Sequence, residues 1–201
     1  MKIENKRKLT SVFMAFGIAL ILLSVTMVVV TEIVEKKYKE SAEEIVFLLK
    51  DTIPDAVDSV PDDRINTTMA VFQIGEEDFI GLIELPSFNK VLPVCNRWDK
   101  MKVSEYPCKY MGSVFDDCLI IGGSDNEGQF DFIKTISNGD TVSFTDVTGQ
   151  RFNYTVTDIR KTKDVSTEKL TSKEADLVLF ARNTFSFDYT VIRCDLKNRS
   201  N

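Results

Sequence analysis

The chain has 201 residues, 43% of them hydrophobic, with 25 basic and 31 acidic side chains and a formal net charge of -6. It contains no histidine, which excludes imidazole as an acid, base or metal ligand from this chain, and with it Cys-His and Ser-His catalysis and mixed His/Cys zinc sites. Residues 1–40 hold 7 basic and 4 acidic residues, leaving 18 and 27 beyond them, an acidic balance opposed to nucleic-acid binding.

Lys2, Lys6, Arg7 and Lys8 open the chain against a single Glu4. Ser11 to Val30 (SVFMAFGIALILLSVTMVVV) follows without a charge, the length of helix that spans a bilayer core. Its few hydroxyls can bond back onto their own helix. The positive-inside rule predicts a cytoplasmic N-terminus over 1–10, a transmembrane helix over 11–31 and the remainder outside the cell membrane. A cleaved signal peptide shares the basic start and apolar run. The run is long for that role and Thr31-Glu32-Ile33-Val34-Glu35 holds no Ala-x-Ala site, so the expectation is an uncleaved single-pass anchor.

Residues 32–68 read as a helical stalk and linker. Ile33, Val34, Ile45, Val46, Leu48 and Leu49 recur among Lys and Glu, giving a helix from Glu32 to Leu49 with an apolar face. Asp51 to Thr68 carries Pro54, Pro61, aspartates and Asn66, which is linker composition.

From residue 69 to 201 the pattern is of short strands. Phe79–Leu85 (FIGLIEL) and Lys90–Val94 (KVLPV) flank a turn at Pro86-Ser87-Phe88-Asn89. Cys118–Ile121 is apolar and is expected to end at Gly122-Gly123. Phe130–Ile136 suggests a short helix. Thr141–Asp146 and Gln150–Thr157 alternate around Val147-Thr148-Gly149 and predict a hairpin. Leu177–Phe180 and Tyr189–Cys194 complete the set. The result is one mainly β domain, a barrel or sandwich.

Cys95, Cys108, Cys118 and Cys194 allow three complete pairings, their spacing contains no close CxxC pair, and no pairing is assigned. Burial as small hydrophobes is the plainer reading. Asp125-Asn126-Glu127-Gly128 has the look of a calcium loop but too few ligands. No metal and no cofactor are expected.

Several stretches together resemble the sortases, membrane-anchored cysteine transpeptidases of Gram-positive bacteria. FIGLIELPSFNKVLPV is similar to their opening I-G-x-I-x-I-P strand and the L-P-V after it. YMGSVFDDCLIIGG (Tyr110–Gly123) resembles the approach to the family histidine, and NGDTVSFTDVTGQRFNYTV the hairpin that follows. DLVLFAR (Asp176–Arg182) and YTVIRC (Tyr189–Cys194) resemble the strands bearing the cysteine and the arginine. The resemblance runs from about Asp78 to Asp195 and implies a closed sortase-like β-barrel with short helices.

In that family a cysteine thiolate attacks a threonine carbonyl of a sorting motif, histidine serves as acid and base, and arginine donates to the oxyanion or substrate backbone. Carried across by motif, Gly123 stands at the histidine position, Ser124 at the usual asparagine, Arg182 at the cysteine and Tyr189 at the arginine. Glycine has no titratable group, and arginine remains protonated. The leading expectation is a surface binding or accessory module without transpeptidase activity. Arg182, Tyr189 and Ser124 are its binding candidates, and extended peptides or cell-wall or surface proteins its partners. The alternatives are a divergent transpeptidase or peptidase acting on sorting signals, and a structural subunit of a membrane complex joined through Glu32–Leu49.

Overall fold

The computed structural model describes residues 2–59, 68–116, 118–166, 170–171, 175–184 and 186–197, with side chains from Val12 onward. Two compact units divide the chain, Met1–Lys37 and Tyr38–Asn201. Helix α1 (Lys2–Thr52) supplies the described part of the first. It is long and apolar enough to cross a membrane, and its side chains between Val12 and Val30 are almost all exposed, as a lipid-facing surface requires. The Thr26 hydroxyl donates to the Leu22 carbonyl at 2.8 Å, so this hydroxyl of the run is satisfied by its own helix.

The second unit begins within α1. Ala42, Ile45, Val46 and Leu49 recur at three- and four-residue spacing and form one face, which packs against Phe79, Leu82 and Tyr106. Leu49 is fully buried. Ser41 adds a polar anchor, its hydroxyl 2.9 Å from the Glu105 carboxylate and 2.7 Å from the Tyr106 hydroxyl. From Tyr38 onward the segment read as a stalk belongs to the folded unit, its apolar stripe packed on the barrel. Residues 60–67, part of the expected linker, lie outside the described residues.

The β elements are β1 (Val57–Asp58), β2 (Phe72–Ile74), β3 (Glu77–Leu85), β4 (Lys90–Cys95), β5 (Cys108–Gly112), β6 (Leu119–Ser124), β7 (Thr141–Asp146), β8 (Gln150–Thr162), β9 (Leu177–Arg182) and β10 (Tyr189–Leu196). Eight of them close a ring in the order β3, β4, β5, β6, β9, β10, β8, β7 and back to β3. β1 lies on β8, and β2 on β3. The β4–β5 and β6–β9 seams are parallel, and the other joints of the ring antiparallel. The barrel is filled from alternate positions of each strand, including Ile83, Ile121, Phe144, Phe152, Leu179 and Ile192.

The expected hairpin forms between β7 and β8. Asp146 Oδ1 accepts the N–H groups of Thr148 and Gln150, both at 2.9 Å, and the Thr148 hydroxyl at 2.7 Å, an aspartate turn built from side chain to backbone. Two local expectations change. The proposed helix at Phe130–Ile136 is a shorter 3₁₀ turn, Asp131–Lys134. Gly122-Gly123 does not terminate β6, which continues through Ser124, for a packing reason described below.

Packing of α1 on the barrel makes a direct prediction. In the detergent-solubilised chain, Leu49→Ala lowers unfolding free energy by about 2–5 kcal/mol. Exposed Phe47, on the opposite side, changes it by at most about 0.5 kcal/mol when replaced by alanine. Urea denaturation of the two variants measures the contrast.

Candidate functional site

β9 carries a continuous apolar run because both of its faces are covered. Leu177, Leu179 and Ala181 point into the barrel core. Val178 and Phe180 point outward beneath a second layer that includes Leu170, Trp98 and Tyr110. At the end of this outer row stands Arg182, exposed. The pairing registers set Ser124 opposite Arg182 on the parallel neighbour β6, and Tyr189 opposite Arg182 on the antiparallel neighbour β10. Paired residues project to the same side of a sheet, so Ser124, Arg182 and Tyr189 share one face at one level.

They line a groove of about 520 Å³ together with Trp98, Phe180 and Phe187. Rings build its wall: Trp98 lies 5.5 Å from Phe180, and Phe180 lies 6.4 Å from Tyr189. Tyr110 supports Trp98 edge-on at 5.3 Å, a favoured aromatic geometry. Arg182 sets its guanidinium 5.4 Å above the Phe187 ring, within cation–π range. Among the described residues Arg182 has no carboxylate partner.

Gly123 is paired one step inward, opposite Ala181. A Cβ there would meet the Phe130 ring at 2.7–2.9 Å. At Gly122, facing the groove wall, a Cβ would lie 2.3 Å from the Trp98 ring and 2.7 Å from Phe180. Two adjacent glycines therefore let aromatic rings lie on the strand from opposite sides. This is why the pair continues β6. The sequence motif brings Gly123 to the groove, but the side chain level with Arg182 belongs to Ser124.

The loops around the groove are tied down by polar contacts that no motif announced. Asp125, 4% exposed, accepts the Thr184 N–H at 3.0 Å and the Thr184 hydroxyl, and lies 3.8 Å from Lys134 Nζ. Its carboxylate thus joins the end of β6 to the β9–β10 connection. Gln129 accepts the Ser124 N–H at 3.1 Å and donates to the Val103 carbonyl at 3.2 Å. In the β9–β10 connection, Asn183 donates its N–H to the Asp188 carbonyl at 2.7 Å and its side-chain amide to the Asp188 carboxylate at 2.6 Å. Hydrogen bonds from Ser186 and then Asn183 hold the Asp188 carboxyl below the usual aspartate range. The turn fixes exposed Phe187 at φ 58°, a left-handed conformation that costs a non-glycine residue on the order of 1–3 kcal/mol.

The sequence reading identified Ser124, Arg182 and Tyr189 but missed Trp98, Phe180, Phe187 and Asp125 as groove residues. Trp98 is the only tryptophan, the one available signal. Its approach to Phe180 is created by folding. None of the four cysteines lines the groove. Cys118 precedes β6, and Cys194 is buried in β10, where burial pushes its thiol above the ordinary range. Cys95 at the end of β4 and Cys108 at the start of β5 are buried and pair with one another.

No protein-family model matches the chain, and no curated protein matches it in sequence. Solved structures do. Sortase A of Listeria monocytogenes is similar over 59% of this chain and 87% of its own, with 16% identity and a TM-score of 0.51. The X-ray structure of Clostridium perfringens sortase C with the C-terminal cell wall sorting motif covers 62% and 74%, at 18% identity and TM-score 0.51. The pilus-related sortase C of Group B Streptococcus covers 70% and 80%, at 14% identity and TM-score 0.52. The chain carries a sortase-like β-barrel; at such identities the likeness is one of fold.

The glycine packing is open to a simple test. Gly123→His, at the position the sortase resemblance matches to a histidine, drives a side chain into Phe130 and destabilises the domain by at least about 1–3 kcal/mol. Ser124→His, on the groove side, costs less than half as much. Equilibrium denaturation compares them.

Proposed function

We propose that this protein is a membrane-anchored binding module whose outer domain holds an extended, carboxylate-bearing peptide in the groove between β6, β9 and β10 and does not perform transpeptidation. The observation that carries this reading is the open groove with exposed Arg182 directed into it and uncommitted to any carboxylate among the described residues. A guanidinium forms paired, charge-assisted hydrogen bonds with a carboxylate. Trp98, Phe180 and Tyr189 offer flat apolar surface beside it. The strained Phe187 adds a fixed ring at the rim.

The positions that the sortase resemblance assigns to nucleophile, acid–base group and oxyanion donor hold Arg182, Gly123 and Tyr189. With the cysteines away from the groove and histidine absent from the chain, sortase-type acyl transfer would lack its nucleophile and its acid–base group. The basic residues before the apolar run favour a cytoplasmic N-terminus and an outer domain facing cell-wall or surface partners. A scaffold role through Glu32–Leu49 has less support. The Ala42, Ile45, Val46 and Leu49 stripe of that segment is already covered by the barrel.

Trp98 lies in the groove wall and reports occupancy by its fluorescence. Titration with a panel of sorting-signal and cell-wall peptides is expected to give a saturable change with at least one member. Arg182→Gln weakens that binding at least tenfold, about 1.4 kcal/mol, and Tyr189→Ala weakens it less. No saturable change across the panel would count against the proposal.

A further inference from the structure

The β4–β5 seam of the barrel is held in register by one pair, Cys95 opposite Cys108, with the Cys95 N–H donating to the Pro107 carbonyl at 2.9 Å. Neighbouring strands lie about 4.8 Å apart, inside the Cα separation of roughly 4.4–6.8 Å that a disulfide bridges. Both side chains enter the same cluster, beneath Leu49 and against Phe79 and Tyr106. The chain between the two cysteines contributes Trp98, Lys100, Val103 and Ser104 to the groove. The two cysteines therefore sit at the base of the loop that makes one wall of the candidate site.

We infer that Cys95 and Cys108 form a disulfide that staples the base of this loop and closes the β4–β5 seam covalently. Both are thiols in this structure, so the bond requires an oxidant, a disulfide of the form RSSR. The Cys95 thiolate attacks one sulfur of RSSR, giving Cys95–S–S–R and releasing the first RS⁻. Cys108 then gives up its proton and attacks the Cys95 sulfur, expelling the second RS⁻. Two protein thiols are oxidised, RSSR is reduced, and the two thiol protons end on two RSH.

The two thiols influence one another. A hydrogen bond from Cys108 is the main influence lowering the Cys95 thiol below its ordinary range, against the opposing effect of burial. Cys108 is pushed up, first by that same hydrogen bond and then by burial. First attack from Cys108 gives the same disulfide. Glu77 and Lys102, ion-paired to each other, are the charged groups beside Cys95. Cys95 is 2% exposed and Cys108 fully buried, so exchange proceeds when the loop opens, before folding is complete or by local unfolding of the seam. The bond does not depend on the peptide-binding proposal; only its effect on the groove rests on that reading.

The test equilibrates the purified full chain with oxidised glutathione, alkylates remaining thiols and digests with trypsin without reduction. The expected product is the peptide Val91–Arg97 joined to Val103–Lys109, with Cys118 and Cys194 alkylated. Failure to join them, a stable glutathione adduct on Cys95 alone, or a bond to Cys118 or Cys194 would overturn the inference. Oxidation is further expected to raise the thermal midpoint by roughly 5–10 °C. Dithiothreitol and Cys108→Ala remove the rise, and Cys118→Ala keeps it. A linked pair with an unchanged midpoint would overturn the staple while leaving the bond, and the wild-type peptide map remains decisive if Cys108→Ala fails to fold.

Discussion

Phe130 presses on β6 from inside the barrel at Gly123, and Trp98 and Phe180 press on it from outside at Gly122. The candidate site depends on this contact. It brings the Trp98 loop against the strand, brings Phe130 under the floor of the groove, and leaves β6 in register beside β9. Arg182 then stands level with Ser124 and Tyr189 at the strand ends. Rings packed on both sides of a backbone leave little freedom to relax. The arrangement therefore fixes an aromatic wall and removes the space that an inward side chain at position 123 would need.

The polar ties around the groove act on the same geometry. Asp125 reaches across to Thr184, Gln129 to Val103, and Asn183 to Asp188. Each joins segments that carry groove residues. Satisfied polar contacts of this kind hold loops in one arrangement. The asparagine–aspartate turn in particular keeps Phe187 beside Arg182 in a conformation the residue would otherwise avoid. The groove is a built feature of this chain.

Much of the barrel was legible in the sequence because strand alternation and turn chemistry are local. The β7–β8 hairpin is announced by Asp146 and Gly149 around a short turn, and DLVLFAR by its apolar run. The end of β6 was not legible. Gly122-Gly123 carries the local signal of a break, and the rings that make it part of a strand arrive from Trp98 and Phe130. The buried face of α1 beyond Tyr38 was visible as periodicity, but its partner was not, since Phe79 and Tyr106 come to it only through the fold. Arg182, Tyr189 and Ser124 were found by position in a motif. Asp125 was noticed as part of a loop whose partner, Thr184, lies 59 residues further on. Pairing at that separation leaves no mark in spacing.

The barrel is sortase-like, and the function proposed for its groove is binding through a fixed cation and an aromatic surface, without nucleophilic chemistry. Its central claim concerns covalent chemistry at that groove. The most direct measurement is mass spectrometry of the intact chain and of the peptide pool after incubation with a sorting-motif peptide and an excess of amine. The account predicts an unchanged protein mass and an intact peptide. An acyl adduct on the chain, or a peptide–amine transfer product, would contradict it.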